Sequence, residues 1–219
     1  AGGVQPLILL PVEVNGEGPF EFILDTGAGT SLLSAELGKK LDVKILSSRE
    51  GQSAGGAVSV SLAKLTSLAV SSLKLEDVDV GVVYLSHIGK TVGAQIDGDL
   101  GYNFLKHFRI TLDYGTNEIG FEDPKRFESA GGAAAVAEVR LRLASRAKPL
   151  ILVDVYAKGS GPFQFAIDTG TSTTAIAPEV ARQLGIEGSP IGPLTTGGSQ
   201  VNVTAGNLKS FQVGGARIL

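Results

Sequence analysis

The chain has 219 residues, of which 43% are hydrophobic, and its net charge is −3. This length permits one large domain or two small ones, the mixed and near-neutral charge argues against a nucleic-acid partner, and no apolar run approaches the ~18 residues of a membrane span. Because cysteine is absent, disulfides, thiol catalysis and cysteine-based zinc sites are excluded. The presence of only two histidines argues against a histidine-rich metal site and against a serine-type triad.

The N-terminal segment predicts a hairpin. Residues 7–14 and 20–24 are apolar, and residues 15–19 between them are rich in glycine and end with a proline, as tight turns are. The second strand runs directly into Asp25, which is followed by a threonine and a glycine. Because a buried carboxylate is costly without partners, Asp25 is expected to have partners elsewhere in the chain.

The rest of the chain continues as short strands and turns with little helix. Abundant glycine (30 residues) and short, interrupted apolar stretches indicate a mainly β protein. The predicted elements, in chain order, are an amphipathic segment at 34–41, a hairpin rich in small residues at 50–62, strands at 65–70 and 78–83, an apolar turn, short helix and strand across 95–114, a closing segment at 117–123, an Ala/Gly-rich linker at 129–138, and a strand at 139–143.

The sequence repeats itself at an offset of 143 residues. PLILLPVEVNGEGPFEFILDTGAGTSLLS begins at Pro6 and PLILVDVYAKGSGPFQFAIDTGTSTTAIA begins at Pro149, and about half of the aligned positions are identical. In this alignment Asp25 corresponds to Asp168. A period this long is typical of a duplicated lobe rather than of a solenoid.

The repeat predicts two related lobes, the first at residues 1–128 and the second at 139–219, joined by the linker at 129–138. The second copy has no counterpart of residues 96–114, so we expect it to be only the first half of a lobe, in a fragment or trimmed chain whose missing part another chain supplies. The chain begins with alanine and contains no methionine, which also indicates processing. No compartment follows from the sequence, although a secreted or periplasmic location is favoured.

The two apolar-apolar-Asp-Thr-Gly motifs resemble those of the pepsin and retropepsin aspartic proteases. FILDTGAGT is similar to the retroviral motif, and FAIDTGTST is similar to the motif in the second lobe of pepsin. IDGDLGYNFL resembles the segment that packs beneath the catalytic loop, except that Asp99 stands where an aliphatic residue is expected. The resemblance implies a mainly β, two-lobed acid-protease architecture with a retropepsin-like β-barrel, short helices and an incomplete second lobe, as in a bacterial-type protease with two such units in one chain.

The resemblance also implies an aspartic endopeptidase with Asp25 and Asp168 as its catalytic dyad. Two carboxyls at close range cannot both ionise easily, so one acid and one base coexist and activate a water without a cofactor or metal. Thr26 and Thr169 would hydrogen-bond between the lobes, and N–H groups near Gly27 and Gly170 would hold the carboxylates. The Thr171 hydroxyl is expected to donate to Asp168, whereas Ala28 has no hydroxyl to offer Asp25.

Two glycine-rich hairpins are expected to cover a substrate peptide, which would add a strand between them and the dyad. The first is the hairpin at 50–62 and the second lies at 194–203. Their candidate substrate-contacting residues are Gly51, Ser53, Gly55, Gly56, Gly197 and Gly198.

Two other interpretations remain open. The chain is an inactive peptide-binding or regulatory module, or a single active lobe pairs with its copy in a homodimer that uses only Asp25. The partner in every case is a peptide or protein. The remaining candidate residues receive structural roles: Asp97, Asp99 and Asp113 are expected in turns or at the surface, and His87 and His107 in surface or packing positions.

Overall fold

The computed structural model describes residues 6–53, 56–125, 139–146, 148–195 and 200–218, and strands dominate these ranges, which confirms a mainly β protein. None of the helices in these ranges is long and apolar enough to cross a membrane. The strands and helices are β1 (Leu9–Val14), β2 (Glu17–Leu24), β3 (Leu32–Ser34), α1 (Ala35–Lys40), β4 (Ile45–Ser53), β5 (Gly56–Val70), β6 (Leu73–Val83), α2 (Ser86–Val92), β7 (Gly98–Leu100), α3 (Tyr102–Leu105), β8 (Arg109–Asp113), β9 (Glu118–Glu122), β10 (Arg142–Leu143), β11 (Ile151–Ala157), β12 (Ser160–Ala166), α4 (Pro178–Gln183), β13 (Gly188–Thr195), β14 (Gln200–Gly206), β15 (Phe211–Val213) and β16 (Ala216–Ile218).

Six strands of the first unit, residues 6–125, close into a barrel. Their order is β1-β2-β7-β3-β6-β5, and β5 returns to pair with β1, while β4 extends the sheet beyond β5. In β1 the apolar and polar positions alternate, so that Leu10, Val12 and Val14 point inward. Together with Leu24, Leu65 and other fully buried side chains they fill the barrel, which makes this unit a rigid platform for the loop after β2.

Strand β7 is the element that brings the segment 95–114 beneath the loop after β2. It runs parallel to β2 and antiparallel to β3. Gly98 is required there, since a Cβ atom at this position would lie 2.2 Å from the ring of Phe22. The tight approach locks β7 against the strand that ends at Asp25.

The amphipathic segment predicted at 34–41 contains helix α1, which begins after Ser34. The Ser34 hydroxyl accepts a hydrogen bond from the Leu37 N–H (3.1 Å) and caps the helix. Helix α2 was not predicted from the sequence. Its first turn has no side-chain cap, so the usual signal for a helix start is missing, although Lys90 and the left-handed Gly93 mark its end.

The second unit, residues 139–218, repeats the first hairpin but surrounds it less completely. One edge of β11 pairs with β12, and its other edge pairs with β10 and then with β15. β13 pairs with β14 as a separate hairpin. Ile167 is 43% exposed, whereas its counterpart Leu24 is 0% exposed, because β7 covers the first strand end and no described strand other than β11 pairs with β12. The predicted linker at 129–138 lies outside the described residues.

Candidate active site

Both Asp-Thr-Gly loops leave the end of a strand and turn toward each other. The Asp25 N–H donates to the carbonyl of Leu100 in β7 (3.1 Å), which ties the first loop to the barrel. In the second unit the Ile167 N–H donates to the carbonyl of Ile151 in β11 (2.8 Å), just before Asp168. The duplicated strands therefore deliver two carboxyl groups to one cleft.

Each carboxyl group lies against the glycine of the opposite loop. A Cβ atom on Gly27 would lie 2.6 Å from Cγ of Asp168, and a Cβ atom on Gly170 would lie 2.5 Å from Cγ of Asp25. The two carboxyl groups are close enough for each to act on the ionisation of the other. The structure thus brings Asp25 and Asp168 together across the two units, at a distance that only glycine at the two neighbouring positions permits.

Backbone N–H groups hold one oxygen of each carboxyl group. Oδ1 of Asp25 accepts from the N–H groups of Gly27 (2.7 Å) and Ala28 (3.0 Å). Oδ1 of Asp168 accepts from the N–H of Gly170 (2.8 Å). These bonds fix the direction of each side chain and leave its second oxygen for a proton or a bound water.

The two loops are joined by four hydrogen bonds of the paired threonines. Oγ1 of Thr26 donates to the carbonyl of Ile167 (2.8 Å) and accepts from the N–H of Thr169 (3.1 Å). Oγ1 of Thr169 donates to the carbonyl of Leu24 (2.7 Å) and accepts from the N–H of Thr26 (3.0 Å). Each hydroxyl thus donates one hydrogen bond to the opposite loop and accepts one from it. These bonds set the separation of the two carboxyl groups.

The surroundings of Asp168 raise the pKa of its carboxyl group. Burial of its carboxyl group in the cleft, the neighbouring charge of Asp25 and the hydrogen bond between them raise the pKa of Asp168 to about 6, and the Gly170 N–H opposes the rise. The residue as a whole is exposed, although its carboxyl group lies against Gly27. A proton is therefore held between the two aspartates in mildly acidic solution.

The expected hydrogen bond from Thr171 to Asp168 is wrong. The Thr171 hydroxyl donates instead to the carbonyl of Thr173 (3.3 Å), and a hydroxyl has a single hydrogen to donate. On the other loop Ala28 donates through its backbone N–H to Asp25. The side chains at positions 28 and 171 therefore donate no hydrogen bond to either carboxyl group.

The expectation of turn or surface positions is wrong for two of the three acids outside the motifs. Asp97 and Asp99 are each 8% exposed, because they enter and occupy β7 inside the sheet. Asp113 does lie at the surface: it is the exposed last residue of β8, and its Oδ1 accepts from the N–H groups of Gly115 and Thr116 in the turn that follows. Of the histidines, His107 is exposed and contacts the ring of Phe108, and His87 is half-buried on α2.

Both predicted covering hairpins are present as strand pairs. Gly51 lies in β4 and Gly56 begins β5, with Ser53 opposite Gly56 at the end of the ladder. Gly55, Gly197 and Gly198 lie outside the described residues. The second hairpin is formed by β13 and β14, which continue to the pair Thr195 and Gln200. Substrate contact by either hairpin stays a prediction.

No group of three or more metal-ligating side chains with the geometry to hold an ion occurs within the described ranges.

A methyl group added to either loop glycine is expected to separate the dyad. Gly27→Ala and Gly170→Ala should each lower peptide cleavage by about 10²-fold, since a displacement on the order of 1 Å has that cost in a positioned site. Neither glycine has a positive φ, so backbone strain contributes little. The measurement is kcat/KM, with Gly120→Ala as control because its added Cβ would make an ordinary 3.7 Å contact with Thr111. Loop variants as active as this control would mean that the carboxyls do not work together.

The closed barrel and the paired strand-end loops define a retropepsin-like architecture. A family model described as "Aspartyl protease" matches residues 10–104 and 153–218, which include both copies of the repeat. The chain belongs to the aspartyl protease family, and this confirms the family resemblance and the fold class expected from the sequence.

Among solved structures, the chain is similar to a retropepsin-like aspartic protease from Rickettsia conorii, with 20% sequence identity and a TM-score of 0.37. The similarity covers 48% of this chain and 75% of that chain. No curated protein matches the chain.

Proposed function

We propose that the protein is an aspartic endopeptidase that hydrolyses peptide bonds with a water activated by Asp25 and Asp168. The observation that carries the proposal is the mutual approach of the two carboxyl groups, each against the glycine of the opposite loop. Two carboxyls so close share one proton, and this provides an acid and a base in the same site. Membership of the aspartyl protease family supports the same reaction class.

The proposed reaction needs no group beyond the dyad and one water. The ionised carboxylate takes a proton from the water while the water oxygen attacks the peptide carbonyl carbon, and the protonated carboxyl gives its proton to the carbonyl oxygen. The tetrahedral diol then collapses: the C–N bond breaks, the leaving nitrogen takes a proton from the first carboxyl, and a diol hydroxyl returns its proton to the second. The dyad is thereby restored to its starting state.

The substrate proposed for this site is an extended peptide segment. An extended chain lying across the cleft can hydrogen-bond along its backbone to the edges of the β4–β5 and β13–β14 hairpins, as strands added to a sheet do. Helix α2 of the first unit also contacts β13 of the second.

The experiment that tests the function is cleavage of a mixed peptide library between about pH 4 and pH 7, where a shared carboxyl proton is retained. We expect internal cleavage that a pepstatin-type inhibitor suppresses and that metal chelators and serine-protease reagents leave unchanged. Peptide binding without any cleavage would instead support the peptide-binding module, and cleavage unaffected by the dyad inhibitor would contradict the proposed chemistry.

Cleavage is expected to decline above about pH 6. The protonated acid of the dyad is lost as the pH passes the raised pKa of Asp168, which is about 6, so kcat/KM should fall about tenfold per pH unit beyond it. Because the two carboxyls are linked, the profile reports the pair as a unit. A pH series of kcat/KM on one library-derived peptide measures this limb, and activity that is still rising at pH 8 would contradict the assignment.

A further inference from the structure

A third carboxyl group lies beside the two of the cleft. Asp99 sits in the middle of β7, directly opposite Ile23 of β2 and Leu32 of β3. Residues that face each other across a ladder share one side of the sheet, so the Asp99 side chain lies between two aliphatic side chains of the same apolar cluster. At 8% exposure it has little access to water.

The charged groups that face Asp99 are both acidic. Asp25 follows the end of β2 and its carboxyl group is a close neighbour of the Asp99 carboxyl group, and Asp168 approaches from the second unit. From β3 the neighbour is Leu32, which carries no charge. Burial, followed by the charge and hydrogen bond of Asp25 and the charge of Asp168, raises the pKa of Asp99 well above its ordinary value.

The hydrogen bonding of Asp99 points to a retained proton. Oδ1 of Asp99 is buried and receives no N–H or hydroxyl donor from the described residues. A buried acceptor without a donor is costly, and two carboxylates in contact repel each other. Both problems disappear when one proton lies between Asp99 and Asp25, because the protonated carboxyl then acts as donor.

Asp97 shows that burial alone does not create this situation. It is buried to the same extent as Asp99, yet its Oδ2 accepts from the N–H of Glu21 (3.1 Å) and its Oδ1 accepts from Nε2 of Gln95 (2.8 Å). Asp97 is therefore supplied with donors, whereas Asp99 must obtain its partner from the dyad.

We propose that Asp99 is a positioning residue of the dyad: its carboxyl keeps a proton and donates it in a hydrogen bond to Asp25, which makes Asp25 the ionised base and leaves Asp168 as the acid. This inference rests on the proposed function and deepens it by assigning the two roles. The Asp99 proton is not consumed in the reaction. A hydrogen-bond donor stabilises the carboxylate that accepts it, and this is the effect that Asp99 supplies to the base.

Two variants separate this role from simple packing. Asp99→Asn keeps the size and a neutral donor, so the acidic limb of the kcat/KM profile should remain where it is in the unmodified protein. Asp99→Leu removes the donor, and the acidic limb should move upward by about one to two pH units, the amount that a hydrogen bond to a charged group supplies. Asp97→Asn is the matched control, expected to leave the profile unmoved. The proposal would be overturned if the acidic limb of Asp99→Leu stayed in place, or if that of Asp99→Asn moved as far as that of Asp99→Leu.

A second measurement does not depend on cleavage. The folded protein keeps a proton on Asp99 that the unfolded chain releases above about pH 4, so Asp99 favours the folded state fully at low pH and progressively less as the pH rises toward its folded pKa. Asp99→Asn does not titrate, so urea unfolding should show it gaining stability over the unmodified protein between about pH 4 and pH 7, with little difference near pH 3. A difference that is constant with pH would overturn the retained proton.

The two measurements keep the proposals distinct. If neither the unmodified protein nor any variant cleaves peptides, the proposed function fails. The unfolding series still decides whether Asp99 holds a proton. If cleavage occurs but neither the pH profile nor the unfolding series responds to Asp99, the function stands and the role of Asp99 is wrong.

Discussion

Asp25→Asn and Asp168→Asn are each expected to lower peptide cleavage by about 10³-fold or more. Either amide removes the shared proton, and residues that act as one unit lose nearly the whole effect when one member is lost. The measurement is kcat/KM on a single library-derived peptide. The N–H donors of Gly27, Ala28 and Gly170 still have an amide oxygen to bond, so both variants should fold.

The control for this pair is Asp113→Asn, which changes an exposed carboxylate at the end of β8 that accepts from the N–H groups of Gly115 and Thr116. Equal losses at both dyad positions support a site built within one chain. Full activity in Asp168→Asn together with loss in Asp25→Asn would favour a homodimer that uses Asp25 alone, and activity in both variants would contradict the dyad.

Thr26→Val and Thr169→Val should each weaken both stability and cleavage. Each change removes a hydroxyl that donates to one carbonyl and accepts from one N–H of the opposite loop, and it leaves Ile167 or Leu24 without its donor. We expect a loss of about 1–3 kcal/mol in the free energy of unfolding. Cleavage should fall by about 10–10²-fold because the carboxyls are no longer held in register.

Serine is the matched replacement, since Thr26→Ser and Thr169→Ser retain the hydroxyl and lose only a methyl group. Urea unfolding and kcat/KM of the serine variants should stay close to those of the unmodified protein. The double valine variant tests the link directly: because both threonines belong to one contact, its loss should be smaller than the sum of the single losses. Additive losses would show that the two hydroxyls act independently.

Much of the first unit follows from local patterns. The alternation in residues 9–14, the glycine-rich turn and the apolar strand before Asp25 each specify their own structure, and the 143-residue repeat places Asp168 in the same local setting. The cross-loop threonine contact was expected from the family resemblance rather than from any local pattern, because its donors and acceptors lie on segments far apart in the chain.

The failures at Asp97, Asp99 and Thr171 concern where a polar side chain lies and which partner it bonds. Asp99 was placed at a turn or surface because acidic residues usually lie there, but β7 inserts between β2 and β3 and carries it inside. Thr171 had a suitable hydroxyl at a suitable position, yet the carbonyl of Thr173 takes its hydrogen. The position of Asp99 depends on where β7 arrives from elsewhere in the chain, whereas Thr171 forms a local bond two residues along the chain instead of the bond to Asp168.

The threonine contact has a twofold character: exchanging Thr26 with Thr169 and Leu24 with Ile167 reproduces its four hydrogen bonds. Such self-complementary contacts are isologous, the kind that two identical subunits make. Carried within one polypeptide, this contact forms at an effective concentration on the order of millimolar for units joined by a short connection. Covalent continuity thus allows a small, partly solvated interface to hold the two carboxyls together where separate subunits would need either high concentration or a larger surface.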